Sequence, residues 1–338
     1  MNPQPEGRLG VSEAMRQVEM LLRRVADVDS PLLIIGESGV GKEVAAKFVH
    51  RISTRAAEPF VEVSCGGIAN QFESWLFGHE WGAFTTLMAR HHGLVEQARN
   101  GVLFLDKVGQ LTGPMQVKLL HLIRERTFTR VGGEMAIKTG ARIICATNTD
   151  LEAAATEGRF RRDLYDLIGA IHIAIPPLRD RSDDILPLAQ RFVQEFSEAV
   201  HRDIEGFTEE AEQAMLHHPW PRNVWELRNR IKRAVALSQA PRIGVDALFP
   251  SEAAEPDAAR LAMLAEVHRA EGQHIRAVLR PRGPGGFGGS DRGSGAPLAP
   301  TPVTPDRPKP RSGGAPAHVE VTAEPPPDVI ARRTVLPG

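Results

Sequence analysis

Residues 32–42 read Leu32-Leu33-Ile34-Ile35-Gly36-Glu37-Ser38-Gly39-Val40-Gly41-Lys42. The four apolar residues predict a buried strand, and the glycines and lysine that follow have the spacing of a phosphate-binding loop. In such a loop, backbone N–H groups and the N-terminus of the next helix face the phosphate oxygens, and Lys42 adds a positive charge. A purely structural turn is the alternative, but the strand before and the helix after the turn favour nucleotide binding. The predicted nucleotide-binding residues are Gly36, Glu37, Ser38, Gly39, Val40, Gly41, Lys42 and Glu43.

A second apolar strand, Val102-Leu103-Phe104-Leu105, ends in Asp106. In phosphate-loop folds an acidic residue at this place holds the magnesium of the nucleotide, so Asp106 is the predicted metal ligand. Residue 43 is Glu and not Ser or Thr, which removes a hydroxyl ligand and leaves more of the metal shell to water and Asp106. Lys107 stands where a nucleotide hydrolase usually carries a glutamate that orients the attacking water. Its ammonium either lies near the predicted metal site or pairs with Asp106.

The apolar pattern predicts an α/β domain followed by a helical one. Near-continuous apolar strands separated by helices indicate a parallel sheet covered on both faces, with strands predicted at 32–35, 60–63, 102–105, 142–146 and 171–175. From Asp183 the apolar residues recur at helical spacing, including a stripe of Ala214, Leu216 and Trp220. We therefore expect an α/β nucleotide-binding subdomain over 9–182 and an all-helical lid over 183–240.

Composition narrows the class of protein. The chain has 338 residues and a formal net charge of −1, so it has no overall attraction to nucleic acid or membranes. Its two cysteines, Cys65 and Cys145, lie in or beside apolar strands, which fits a reducing cytoplasm better than a disulfide framework. No apolar run approaches the roughly 20 residues of a membrane span. Residues 1–8 are predicted to be a disordered lead, and the Pro- and Gly-rich residues 281–338 a disordered tail.

The phosphate loop, with Glu after its lysine, resembles that of the sigma-54-dependent transcription activators, the bacterial enhancer-binding proteins of the AAA+ class. Further matches to that family follow in order along residues 9–240. They are Leu76-Phe77-Gly78-His79-Glu80, Gly82-Ala83-Phe84-Thr85, Leu103-Phe104-Leu105-Asp106, Arg130-Val131-Gly132-Gly133, Ala146-Thr147-Asn148, Phe160-Arg161-Arg162-Asp163-Leu164-Tyr165, Pro176-Pro177-Leu178-Arg179-Asp180-Arg181 and Trp220-Pro221-Arg222-Asn223-Val224.

The resemblance implies a homo-oligomeric ring, usually a hexamer, that binds ATP and magnesium between subunits and remodels sigma-54 RNA polymerase. Lys42 would hold the phosphates and Asp106 the magnesium. Asn148 resembles the sensor of the terminal phosphate. Arg161 matches an arginine finger that reaches the neighbouring site; a surface arginine is the alternative. The loop that contacts sigma-54 would contain Gly82, Ala83, Phe84 and Thr85.

Five positions depart from the family pattern. Lys107 replaces the water-orienting glutamate, and Ser64 replaces the asparagine that pairs with that glutamate. Leu167 replaces a second arginine finger, and Trp225 replaces a lid arginine that contacts the phosphates. Thr86 replaces a glycine of the sigma-54 loop, which restricts the backbone there. The resemblance therefore predicts an ATP-driven activator, whereas these residues predict nucleotide binding with impaired hydrolysis. On the second reading the chain is a regulatory subunit or an inactive product.

The family also predicts what to expect at the two ends. The pattern begins almost at once, so the sequence predicts no N-terminal sensor domain. Residues 241–280 are interpreted as a linker and the remnant first helix of a helix-turn-helix domain, with residues 265–279 carrying the likeness. The likeness stops at Arg280, before any recognition helix, which makes specific DNA binding doubtful. A reading-frame shift in a GC-rich gene is one hypothesis for the tail, and a functional Pro-rich linker is the alternative.

Overall fold

A computed structural model describes residues 8–66, 69–81 and 91–250 of the chain. The predicted sigma-54 loop at residues 82–87, the predicted helix at 265–279 and the predicted tail lie outside the described residues. So do residues 1–7 of the predicted lead. Nothing in the described part of the chain is a helix both long and apolar enough to cross a membrane.

The described elements follow one another as the apolar pattern predicts. The helices are α1 Glu13–Arg24, α2 Lys42–Ile52, α3 Ala69–Phe77, α4 Leu94–Ala98, α5 Gly113–Glu125, α6 Leu151–Thr156, α7 Arg162–Ile168, α8 Ile185–Val200, α9 Glu209–His217, α10 Asn223–Leu237 and α11 Val245–Leu248. The strands are β1 Leu32–Ile35, β2 Phe60–Ser64, β3 Gly78–His79, β4 His91–His92, β5 Val102–Asp106, β6 Thr127–Phe128, β7 Ile137–Lys138, β8 Arg142–Thr147, β9 His172–Ala174, β10 Gly206–Phe207 and β11 Arg242–Ile243.

The main sheet has the strand order β2-β5-β8-β1-β9, and all of its pairs are parallel. This confirms the predicted α/β class with a parallel sheet. The register places Ile35 beside Thr147 and Leu105 beside Cys145, so the carboxyl ends of β1, β5 and β8 meet at one edge. Asp106 is the last residue of β5, and the phosphate loop and Asn148 directly follow β1 and β8. The topology therefore brings the predicted site residues of three distant segments to the same edge.

Helices cover both faces of the sheet, and each face has its own buried cluster. One cluster packs α3, α5 and α7 against residues such as Leu103 and Cys145, and the other packs α1 and α2 against Leu32, Phe104 and Ile144. Cys65 and Cys145 are both buried and unpaired, and burial raises the pKa of each thiol. The sequence prediction of no disulfide agrees with this arrangement.

The lid is the predicted helical domain, with a third buried cluster formed by α8, α9, α10 and the segments beside them. The predicted apolar stripe of Ala214, Leu216 and Trp220 is wrong, because these residues are not the ones that the helix buries. Helix α9 ends at His217 and buries Ala211 and Met215, whereas Trp220 is buried outside the helix with a left-handed φ of 48°. Pro219 and Pro221 on either side of Trp220 cannot continue a helix, so the tryptophan enters the core from a turn.

Candidate nucleotide-binding site

The phosphate loop joins β1 to α2, which begins at Lys42. Gly39 and Gly41 take φ values of 80° and 107°, a region that side chains disfavour. Lys42 is only 9% exposed, and its Nζ donates hydrogen bonds of 2.9 Å to the carbonyl oxygens of Gly36 and Glu37. Burial lowers the pKa of Lys42; the charge of Asp106 opposes this, and the charge of Lys107 adds to it. The loop thus holds a lysine charge at the place where phosphates would lie.

Asp106 ends β5 directly beside Ser64 in the register of β2. Lys107 follows with a left-handed φ of 58°, and its side chain is exposed. Within the described residues, Asp106 and Lys107 form no ion pair with each other, so the pairing considered from the sequence is not seen. The site therefore contains a carboxylate and an ammonium on consecutive residues. The carboxylate lies beside Ser64, the residue that replaces the asparagine predicted to pair with the missing glutamate.

These residues do not fit a magnesium ion well. Mg²⁺ prefers oxygen ligands, and among the predicted nucleotide- and metal-binding residues in the described part of the chain Asp106 is the single carboxylate outside an ion pair. Glu43, the residue that replaces the usual hydroxyl, accepts a hydrogen bond from Lys47 within its own helix. The ammonium of Lys107 would lie beside the cation and repel it.

The carboxylate of Glu37 ties the phosphate loop to the lid. Arg179 donates to both of its oxygens, at 2.9 and 2.6 Å, and Asn223 Nδ2 donates to Oε2 at 3.0 Å. The same amide donates to the Ser38 carbonyl oxygen at 3.1 Å, while Asn223 Oδ1 accepts from the Leu178 N–H at 2.7 Å. The hydrogen bonds from Arg179 and then Asn223 lower the pKa of Glu37 to about 2. We call the set Glu37, Arg179 and Asn223 the clasp.

A buried arginine makes a second link. Arg181, 4% exposed, donates to the Val40 carbonyl oxygen at 2.7 Å and lies 4.0 Å from Asp184. Asp184 in turn accepts hydrogen bonds from the backbone N–H groups of Val11 and Ser12 and from the Ser12 hydroxyl. The N-terminal segment, the phosphate loop and the lid therefore meet around two buried charges.

Trp225 lies in the first turn of α10, directly over the phosphate loop. Its backbone N–H donates to the Gly39 carbonyl oxygen at 3.2 Å, and the residue is 55% exposed. The guanidinium of Arg222 stacks on that ring at 5.5 Å. A Cβ on Gly39 would lie 2.2 Å from the Arg222 carbonyl oxygen, so only glycine permits this approach of the lid. The position predicted for a phosphate-binding arginine is thus next to the loop but is occupied by an indole.

The remaining predicted residues are Asn148 at the carboxyl edge of the sheet and Arg161 and Leu167 at α7. Asn148 follows β8 and is exposed at the carboxyl edge, where the Gly36 N–H donates to the Thr147 carbonyl oxygen at 3.2 Å. Arg161 precedes α7; its exposed guanidinium pairs with Asp163, and its backbone N–H donates to the buried Gln116. Leu167, predicted to replace an arginine finger, is half-buried against the sheet core. In the described structure Arg161 makes no contact with the phosphate loop, an arrangement that a finger acting on a neighbour would also show.

The strands that flank the predicted sigma-54 loop are held by one buried arginine. Arg130, 5% exposed, donates to Glu96 through Nε at 2.7 Å and Nη2 at 2.6 Å, and to Glu80 through Nη1 at 2.6 Å. Glu80 directly follows β3, and Glu96 lies in α4 just after β4. Arg130 therefore fixes both sides of the segment that includes Gly82, Ala83, Phe84 and Thr85, which itself lies outside the described residues.

The fold and the loop define a phosphate-loop nucleotide-binding domain with a helical lid. Comparison with protein families makes this specific, because residues 9–174 match the Sigma-54 interaction domain and residues 179–262 match the AAA+ ATPase lid domain. The chain therefore belongs to the family of proteins that carry the sigma-54 interaction domain together with the AAA+ lid domain.

Curated relatives agree with this assignment. The chain is 43% identical to the regulatory protein AtoC of Escherichia coli (strain K12) over 240 residues, which are 71% of this chain and 52% of AtoC. It is 40% identical over 278 residues to the alginate biosynthesis transcriptional regulatory protein AlgB of Pseudomonas aeruginosa, covering 82% of this chain and 62% of AlgB. The chain thus spans only about half to two thirds of the length of these relatives.

Solved structures show the same fold. NtrX from Brucella abortus in complex with ADP superimposes with a TM-score of 0.67 and 31% identity, over 79% of this chain and 61% of that chain. NtrX in complex with ATP gives a TM-score of 0.66 at the same identity and coverage. These neighbours support nucleotide binding by the fold.

Proposed function

We propose that this chain is an ATP-binding transcriptional regulator of the sigma-54 activator type in which ATP hydrolysis is impaired. The observation that carries the proposal is Lys107 directly after Asp106, while the two acidic side chains of the described phosphate loop and its helix, Glu37 and Glu43, are both held by cations. In the described site, Glu37 is held by Arg179 and Asn223, and Glu43 is held by Lys47. A carboxylate engaged by a cation is a poor base for water.

Several finer assignments belong to the same proposal. Lys42 holds the terminal phosphates, Asn148 senses them, and Arg161 reaches the site of a neighbour in a ring. The sequence predicts magnesium at Asp106, but this assignment is left out of the proposal because the charges around Asp106 do not fit the ion. The segment with Phe84 and Thr85 contacts sigma-54 RNA polymerase, and Thr86 weakens that contact. Support comes from the matched sigma-54 interaction domain and from NtrX, which was solved with ADP and with ATP.

A second candidate function follows from the same departures. A chain that binds nucleotide without turning it over can act as a regulatory subunit, or it is the inactive product of a decaying or frame-shifted gene. Trp225 favours this candidate, because an indole at this position beside the phosphate loop supplies no charge to a transferred phosphoryl group. Residual turnover that Lys42→Ala abolishes would favour the first function, and complete absence of turnover would favour the second.

The test is steady-state phosphate release by the purified full chain and its variants. We expect little release from the wild type, a modest gain for Lys107→Glu, and a larger one when Ser64→Asn and Trp225→Arg are added, since such groups act as a unit. Leu167 stays unchanged because it packs against the core. Lys42→Ala in each background is the matched control. Brisk release from the wild type that Lys42→Ala abolishes would refute impaired hydrolysis.

A further inference from the structure

We propose that Lys107 takes the place of the divalent cation, so that this site binds a nucleoside di- or triphosphate without magnesium. The inference rests on the nucleotide binding proposed above and concerns the form in which the nucleotide is held. A bound metal normally offsets the phosphate charge; here the offset is built into the chain.

The first step is the charge balance of the site. Glu37 is paired with Arg179, and Glu43 is paired with Lys47, whose ammonium also lies 3.3 Å from Glu62. Of the charged residues in the phosphate loop and at the end of β5, Lys42, Asp106 and Lys107 form no ion pair in the described structure, and their combined formal charge is +1. A glutamate at 107 would make that sum −1, and phosphates could then bind only with a cation between them and the protein. The lysine removes this need.

The second step is geometry. Asp106 ends β5 and Lys107 follows it, at the sheet edge where the phosphate loop follows β1, with β8 as the strand between them. The Lys107 side chain is exposed and forms no ion pair with Asp106 in the described residues. A lysine ammonium carries three donors on a flexible four-carbon stem, so it can follow phosphate oxygens without a fixed shell of ligands. Lys42 would approach the phosphates from the loop and Lys107 from the end of β5.

The experiment is equilibrium titration of the full chain with ADP and with ATP, in saturating magnesium and in excess EDTA. The variants are Lys107→Met, which removes the charge and keeps an unbranched stem, and Lys107→Glu. Lys138→Met is the matched control, since Lys138 is an exposed lysine in β7 of the small β6-β7 sheet. Thermal unfolding without nucleotide checks that each variant is folded.

We expect the wild type and Lys138→Met to bind equally in both conditions, within about threefold. Loss of one close charge should weaken binding by Lys107→Met in EDTA by about tenfold or more, with recovery in magnesium. Lys107→Glu should require magnesium. Wild-type binding that EDTA abolishes would overturn this inference and leave the proposed nucleotide binding standing. Equal affinity of wild type and Lys107→Met in EDTA would overturn it too, whereas no binding in either condition would refute the proposed function itself.

Discussion

Asn223→Ala tests whether the clasp holds the lid on the phosphate loop. Asn223 is fully buried and joins Glu37, the Ser38 carbonyl and the Leu178 N–H through one amide. Its φ of 53° is a left-handed conformation that asparagine tolerates better than alanine. The substitution therefore removes three hydrogen bonds and leaves the backbone in a conformation that the new residue disfavours.

The magnitude follows from these contacts. The Leu178 N–H lies in a fully buried residue, and leaving it without an acceptor costs about 1–3 kcal/mol. Losing the donor to the half-exposed Glu37 carboxylate adds about 1 kcal/mol, because water replaces part of that bond. Alanine at a left-handed φ adds about 1 kcal/mol. We expect the free energy of unfolding to fall by about 3–5 kcal/mol, and the melting temperature by roughly 6–20 °C.

The assay is thermal and urea unfolding of the full chain, followed by circular dichroism. Asn229→Ala is the matched control: Asn229 lies six residues along the same helix, and its amide donates one hydrogen bond, to the Trp225 carbonyl oxygen at 2.9 Å. That variant should change stability by only about 0.5 kcal/mol. A melting temperature for Asn223→Ala equal to that of Asn229→Ala would show that the clasp does not stabilise the lid.

Two further predictions follow from close contacts. Gly39→Ala should sharply weaken nucleotide binding, because the new Cβ would lie 2.2 Å from the Arg222 carbonyl oxygen. In Gly41→Ala the Cβ meets no atom within 4 Å, so that variant carries only backbone strain. Nucleotide titration of both variants checks this, and equal losses of affinity would contradict it. Arg130 lowers the pKa of Glu96 to about 2 from its ordinary 4.5, so the stability from this carboxylate is complete above pH 4.5 and is lost as the pH falls toward 2. Urea unfolding across that range should show a smaller acid-dependent loss in Arg130→Met, and an unchanged profile would count against the ion pair.

The main sheet was predictable because its strands are buried on both faces. A strand covered twice must be apolar at nearly every position, so β1 at Leu32–Ile35 has the predicted bounds and β5 is one residue longer than predicted. Amphipathic helices gave a weaker signal. In α9 the residues between the two buried positions are half-buried or exposed, and the proline-flanked Trp220 extended the apparent stripe beyond the helix. Periodicity alone cannot distinguish a helical residue from a buried turn residue.

The motifs of the site could be found from sequence, but the contacts that hold them could not. Glu37 was predicted as a loop residue, yet its partners Arg179 and Asn223 lie far along the chain. Polar residues carry no periodic signal, and their pairing depends on how the lid folds back. The available signal was the presence of Arg179 and Asn223 in two segments that match the family. No role was predicted for Arg181 and Asp184 either, although this buried pair helps to hold the phosphate loop.

The residues proposed to bind nucleotide and those proposed to limit turnover lie at different kinds of position in this chain. The residues that shape the phosphate loop and fix the lid are buried or close-packed, as Lys42, Asn223 and Gly39 show. Lys107 and Trp225, in contrast, are exposed. Substitution at an exposed position usually changes stability little, whereas loss of a buried hydrogen-bonded group costs several times more. The fold therefore constrains the binding apparatus and leaves these two positions free to vary. The proposed loss of turnover is therefore compatible with a folded nucleotide site.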